Sequence, residues 1–481
     1  MNSSPSIVWF RNDLRIADNP ALTAAIARGA GVLGLFILDT SAERRGPGEA
    51  SLWWRRESMT GLADALDRLG VPLLILRGDP AALLPDLAAR LGAGAVFWNR
   101  RYGGAERHLD SMLKSALRAE GRIVETFNAS LLREPWDVRS QAGTPMKVFT
   151  PYWRASLALG PFAAPLPVPA PAEMRLVPPA HEAMISAADI LTIATTPDWS
   201  GGLAAAWQPG EAAARDLLGA FIDGGLRGYA ALRDRPDRDH TSRLSPYLAA
   251  GDISPRQILH ALRFAAAVDD IPPDDVAKFE AEVGWREFSY HLLFNNPDLH
   301  RTNFQPKFDG FVWRGDAAHL RLWQRGQTGY PLVDAGMRQL WQTGFMHNRV
   351  RMVVASFLIK HLQIDWRAGE AWFWDTLVDA DPASNPASWQ WVAGSGADAA
   401  PYYRIFNPML QGEKFDPAGD YVRQFVPELA GLAAEHIHTP WRAPASVLAR
   451  AGVRLGETYP KPIVDHDAAR ARAMDAYRAL T

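Results

Sequence analysis

The 481-residue chain contains no cysteine, which excludes disulfides and thiolate metal sites and fits a reducing compartment. Long apolar runs are also missing, so no membrane span is expected. The opening Met-Asn-Ser-Ser-Pro-Ser lacks the basic region and apolar stretch of a secretory signal, and a cytoplasmic protein is expected. Charge of one sign is absent: the formal net charge is −2, so any polyanion site must be a local patch. No Gly-x-Gly-x-x-Gly follows the first apolar run, which argues against a dinucleotide there. What the chain has in excess is tryptophan, 18 residues of it. Indoles pack cores, but they also stack bases and carry electrons.

The length and the 48% hydrophobic content suit about two or three globular domains. Short apolar runs at Ser6–Phe10, Val32–Leu38, Pro72–Leu76, Ala95–Trp98 and Arg122–Phe127 alternate with segments of helical period such as Glu57–Leu69 and Ala81–Leu91. That alternation predicts an α/β N-terminal domain with a doubly wound parallel sheet over 1–130, with Asp18-Asn-Pro starting its first helix. Residues 131–200, Pro- and Ala-rich from Pro161 to Trp199, read as an interdomain linker. Residues 201–475 follow as an all-α C-terminal domain, helical in pattern from Glu211 to about Leu377.

The densest chemistry lies in Asp379-Ala-Asp-Pro-Ala-Ser-Asn-Pro-Ala-Ser-Trp-Gln-Trp391. Its prolines at 382 and 386 predict a turn-rich start, after which Trp389 and Trp391, two apart on a helix, point in different directions. Two core aromatics behind a loop would be the plain reading of such a pair. Thr241-Ser-Arg-Leu-Ser245 suits phosphate at a helix mouth, or simply a capping run. Glu282 and Trp285 share one helix face, as do Asn348 and Met352, with Arg349 and Arg351 beside them. Carboxylate, amide, thioether and indole together suit a mixed pocket lining.

In order along the chain, Trp9-Phe-Arg-x-Asp-Leu-Arg15 with Asp18-Asn, Thr241-Ser-Arg-Leu-Ser245, Trp285-Arg-Glu-Phe288, Gly329-Tyr-Pro-x-Val-Asp334, Met346-His-Asn-Arg349 and Phe406-Asn-Pro resemble the photolyase/cryptochrome family. The resemblance covers residue 6 to about residue 470 and is most detailed for bacterial cyclobutane pyrimidine dimer photolyases. Phe373-Trp-Asp-Thr-Leu377 is similar to the branch nearest plant cryptochromes, which leaves the subclass open.

The resemblance implies an antenna domain followed by an FAD-binding domain, and a lyase that uses light and reduced FAD to split dimers flipped out of UV-damaged DNA. Tyr229, Thr241, Ser242, Arg243, Leu244, Ser245, Phe279, Asn348, Arg351, Asp379, Asp381 and Asn385 would hold FAD, with Arg351 pairing to Asp379. Asn385 matches the position facing the flavin's central-ring nitrogen, where its amide could turn to donate or accept; plant cryptochromes resemble Asp there, which favours repair. Arg233, Glu282, Trp285, Asn348, Arg349, Met352 and Trp391 match the DNA and lesion contacts, with Glu282 either protonated or ionised. Trp389, Trp366 and Trp313 match the chain that passes electrons to photoexcited oxidised flavin. Glu106 matches a glutamate that meets a folate antenna, so methenyltetrahydrofolate is expected, with 8-hydroxy-5-deazaflavin as the alternative. A monomer without a metal site is implied, associated with the nucleoid when on DNA. The competing readings are a cryptochrome-type blue-light receptor and a (6-4) photolyase, although the His-His pattern of the latter is missing at Met346-His347-Asn348.

Overall fold

The structure, a computed structural model, describes residues 4–192, 198–400 and 403–480. Residues 1–3, read above for a leader, and 193–197 of the expected linker lie outside the described residues. The apolar runs become β1 (Ser6–Phe10), β2 (Val32–Asp39), β3 (Leu73–Gly78), β4 (Ala95–Asn99) and β5 (Ile123–Phe127), all parallel in the order β3-β2-β1-β4-β5. Between them run α1 (Pro20–Ala27), α2 (Glu49–Arg68), α3 (Pro80–Arg90) and α4 (Gly104–Ala119). Unbroken apolar strands need cover on both faces, which crossover helices provide. The strand order reverses at β1 and β4, so their carboxyl ends form the sheet's switch point.

Local chemistry sets the boundaries. Asn19 caps α1 by accepting from Leu22 N at 3.2 Å, and Pro20 takes the first helical position, where no N–H is needed. α2 begins at Glu49 rather than at the expected Glu57, because Trp53 and Trp54 are both buried and extend its inner face by two turns. The Pro-rich segment is tied down along the sheet edge. Arg77 N donates to Ala183 O at 2.9 Å and Ile185 N to Ile75 O at 3.0 Å, satisfying groups that edge strand β3 would leave open. Among the described residues, strands occur only in this sheet, and every other regular element is a helix.

Packing divides the chain into two compact units, Met1–Arg227 with Ser242–Pro297 and Val378–Asp381, and Gly228–Thr241 with Asp298–Leu377 and Pro382–Thr481. In the first unit, buried Arg15 donates to the carbonyls of Ala17, Asp18, Ala129 and Gly251. Gly251, at φ +79°, has no room for a Cβ against the backbone of Asn12. Asp18 accepts from Ser254 Oγ at 2.6 Å and Arg256 Nε at 3.0 Å. The motif after β1 is thus a clamp on residues 251–256.

Beside it, fully buried Asp252 accepts from Trp54 Nε1 at 2.8 Å and Ser58 Oγ at 3.2 Å. Burial pushes its carboxyl up to about 7, above the unfolded value. Its contribution to stability is therefore complete below the unfolded value and is lost as pH rises through about 7. Asp252→Asn cannot ionise, so its melting temperature relative to wild type should climb between about pH 4 and 7. Thermal melts across that range check this; a pH-independent difference contradicts it.

Candidate functional site

In the second unit, the helix Ser384–Ala393 starts behind Ala383, which provides no side-chain cap. Pro386 is its third residue, where the backbone N–H has no intrahelical acceptor, so it does not break the helix as expected. Asn385 does not cap either. Its Nδ2 donates to Glu370 O at 3.1 Å and to Glu370 Oε1 at 2.9 Å, on the helix Trp366–Thr376. Both acceptors demand hydrogens, so the amide is fixed with Nδ2, not Oδ1, toward Glu370. The freely turning amide anticipated from sequence is not what the fold provides.

The tryptophans take distinct places. Trp389 is 2% exposed, with its ring edge-on to Phe373 at 4.9 Å and Trp323 at 6.3 Å. Gly369 permits this: a Cβ there would collide with the Trp389 ring and Leu358. Trp391 points elsewhere, half-buried, donating Nε1–H to Asp398 O at 2.9 Å. Trp366 is fully buried and donates to Asn303 Oδ1 at 3.0 Å, while half-buried Trp313 packs on Phe311 at 4.4 Å.

The helix Asn348–Ser356 carries exposed Asn348 and half-buried Arg349, Arg351 and Met352. His347 caps it, Nδ1 accepting from Arg349 N at 3.2 Å, and burial holds its imidazole down at about 4, so it is neutral. Arg349 pairs with Asp234 at 2.6 Å and lies over Phe415, while Arg351 Nε donates to Met346 O at 2.6 Å. A cavity of about 720 Å³ opens here, lined by Asp234, Arg235, Arg349, Arg404, Phe406 and Lys414 among others. Four cations face one carboxylate. Arg235, Arg404 and Lys414 were not anticipated; only the position of Arg404 beside Phe406-Asn-Pro hinted at it. Buried Tyr229 starts a short helix, with Arg233 over its ring at 5.6 Å, and Thr241 is half-buried.

In the first unit, Ser242, Arg243 and Leu244 lead into the helix Ser245–Ala250. Arg243 is held at φ +51°, with its guanidinium over Trp207 at 4.3 Å. Ser245 Oγ donates to Asp379 Oδ2 at 2.6 Å, and the Tyr290 hydroxyl donates to Asp381 Oδ2 at 2.8 Å. Phe279 is buried against Phe221 at 4.7 Å. Glu282 and Trp285 share the helix Pro273–Asn295; Glu282 pairs with Lys278 at 3.2 Å, and Trp285 stacks on Phe149 at 3.9 Å. Phe149, outside every motif, thus supports a residue that the sequence singled out.

The family described as DNA photolyase matches residues 6–172, and the one described as FAD binding domain of DNA photolyase matches 279–479. The chain is 50% identical to a deoxyribodipyrimidine photo-lyase of Agrobacterium fabrum over 100% of this chain and 99% of that one. The chain belongs to the photolyase/cryptochrome family. Cryptochrome-1 of Arabidopsis thaliana is 40% identical over 98% of this chain and 70% of its own length. The crystal structure of a bacterial class III photolyase from Agrobacterium tumefaciens superposes with a TM-score of 0.94, at 50% identity, over 100% of this chain and 98% of that one. Several relatives in the photolyase/cryptochrome family carry the photo-lyase name, and this chain stands among the lyases. Among the described residues no helix is long and apolar enough to cross a membrane.

Each unit carries groups whose chemistry suits a flavin, which this family's second domain is described as binding. Asn385 offers a fixed carbonyl acceptor, Asp379 and Asp381 are each oriented by a hydroxyl, and Arg243 follows a run of hydroxyls. The switch point of the sheet holds a second polar group that sequence did not disclose. Arg55 donates to Asn12 Oδ1 at 3.4 Å, and burial, then the charge of Arg101, pushes its guanidinium down to about 10. Among the described residues Trp9 Nε1 and Arg101 Nε are buried without hydrogen-bond partners. Glu106 stands in the first turn of α4, folded back on Gly103.

Gly369→Ala tests how closely Trp389 is fixed in this photolyase-family fold. Overpacking should cost about 1–3 kcal/mol and displace the indole. Melting should fall and light-driven reduction of oxidised flavin should slow; unchanged values of both contradict the contact.

Proposed function

We propose that the chain is a deoxyribodipyrimidine photolyase that splits cyclobutane pyrimidine dimers flipped out of UV-damaged DNA. Residues 1–130 serve as antenna domain, 131–200 as linker and 201–475 as FAD- and DNA-binding domain, in a cytoplasmic monomer. The observation that carries the reading is the Asn385 amide, whose hydrogens are committed to Glu370. Its oxygen suits an N–H at the flavin's central ring, which reduced flavin carries. Bound FAD supplies the excited electron that opens the cyclobutane ring and takes it back, so no net redox occurs.

The protein's share is binding and orientation. Trp285, Trp391 and Met352 give the dimer apolar faces, and Glu282 and Asn348 meet its polar edge. Glu282, paired with Lys278, offers a ring N–H an oxygen acceptor. Arg233 and Arg349, with Arg235, Arg404 and Lys414 at the cavity, suit backbone phosphates. Trp389, Trp366 and Trp313 pass electrons when the flavin is oxidised. Ser242, Ser245, Arg243, Arg351, Asp379 and Asp381 hold the cofactor's polar groups, beside Tyr229, Thr241, Leu244 and Phe279.

For the antenna, methenyltetrahydrofolate is favoured: Glu106 suits a pterin's N–H donors, and Arg55 and Arg101 suit the tail carboxylates. Arg55→Leu and Glu106→Gln should each lose near-ultraviolet absorption beyond that of the flavin, with flavin content unchanged. Persistence of that band in both variants would put the antenna elsewhere.

Asn385→Asp separates repair from signalling. A carboxylate there would face the carbonyl and carboxylate oxygens of Glu370, acceptor against acceptor, and must take up a proton to keep the geometry. Dimer cleavage by chemically reduced variant should fall at least about tenfold at alkaline pH and recover in part on acidification, a change of ~1.4 kcal/mol or more. Wild-type cleavage across the pH range would remove Asn385 from the electronic role.

A further inference from the structure

Lys360 is 1% exposed, in a π-helical turn, Phe357–His361, that continues directly from the helix Asn348–Ser356. Among the described residues its ammonium has no carboxylate partner. It donates to Arg404 O at 2.9 Å and sits 3.6 Å from the centre of the Tyr403 ring. Tyr403 is in turn stacked on Tyr477 at 4.5 Å, with the rings nearly parallel at 4°. Ser356, four residues before Lys360, accepts from Phe406 N at 3.2 Å. Residues 403–406 are therefore fastened from one side by a single helical rod, and that rod carries Asn348, Arg349 and Met352 at its other end.

A buried ammonium is costly, and burial alone lowers this one to about 7. An apolar side chain would fill the space without that cost. The ammonium does what an apolar side chain cannot: it grips a carbonyl and an aromatic face in adjacent residues.

We infer that Lys360 is a positioning residue for DNA binding, holding the 403–407 segment so that Arg404 shares one cavity with Arg349. The inference rests on the reading of that cavity as a DNA site. Lys360 itself does not line the cavity; it acts through Arg404.

The test is the affinity of flavin-loaded protein for an oligonucleotide carrying one thymine dimer, measured across salt concentrations. Lys360→Met, Lys360→Arg, Arg404→Ala and the Lys360→Met/Arg404→Ala pair are compared with wild type. Lys360→Met should weaken binding about tenfold and lower the salt slope by ~1, as Arg404→Ala does, because one phosphate contact is lost. The double variant should be no weaker than Arg404→Ala, and Lys360→Arg should recover most of the affinity. Wild-type binding by Lys360→Met, or losses that multiply in the double variant, would overturn the assignment. If Lys360→Met does not retain flavin, Tyr403→Leu replaces it in the same cycle, and a loss that multiplies with Arg404→Ala is again the refutation. Wild-type affinity in Arg404→Ala would instead refute the cavity as a DNA site, and the role of Lys360 with it.

Discussion

Both hydrogens of one buried amide go to one residue: Asn385 Nδ2 donates to the backbone and to the side chain of Glu370. That pair of bonds fixes more than an asparagine. It joins the start of the helix Ser384–Ala393 to the helix Trp366–Thr376, and the same two helices bring Trp389 over Gly369. The buried amide of Asn385 and the buried indole of Trp389 are thereby built on a single helix–helix contact. Because the neighbouring acceptors are a carbonyl and a carboxylate, the amide cannot be reversed without leaving acceptor against acceptor.

Charge follows the same economy of place. A net charge of −2 gives the chain no general attraction for nucleic acid. Cations are instead gathered locally, four at the cavity beside Asp234 and a separate group at the switch point of the sheet. Several are pre-oriented by partners that do not neutralise the group as a whole: Arg349 by Asp234, Arg235 by Asp237 and Arg404, through its backbone, by Lys360. Orientation of this kind lowers the entropy lost when a phosphate is bound.

Much of the fold was legible because the physics is local. Apolar runs become strands, and Asn19 followed by Pro20 starts a helix wherever it stands. Legibility failed where a contact depends on distant residues. Nothing local says that Pro386 lies within the first turn of a helix rather than ahead of it, since either use satisfies its missing N–H. Glu370 lies 15 residues from Asn385, and Arg55 reaches the strand ends from a helix 43 residues beyond Asn12. Lys360 reads from sequence as one more helical lysine; only the fold shows it buried over Tyr403. The family's motifs singled out Asn385, Trp389 and Arg349, whereas the side chains that hold them or share their cavity, Glu370, Asp234 and Arg404, stood outside the reading.

The function proposed for this chain is the light-driven splitting of pyrimidine dimers by a flavin held by these residues, not a mere change of flavin state. It is tested most directly by illuminating the reduced, wild-type protein with ultraviolet-irradiated oligothymidine under blue light without oxygen. Recovery of the thymine absorbance near 260 nm, at many turnovers per protein and absent in the dark, is the predicted result. Light-dependent change in the flavin spectrum with no recovery of thymine would contradict repair and favour a photoreceptor.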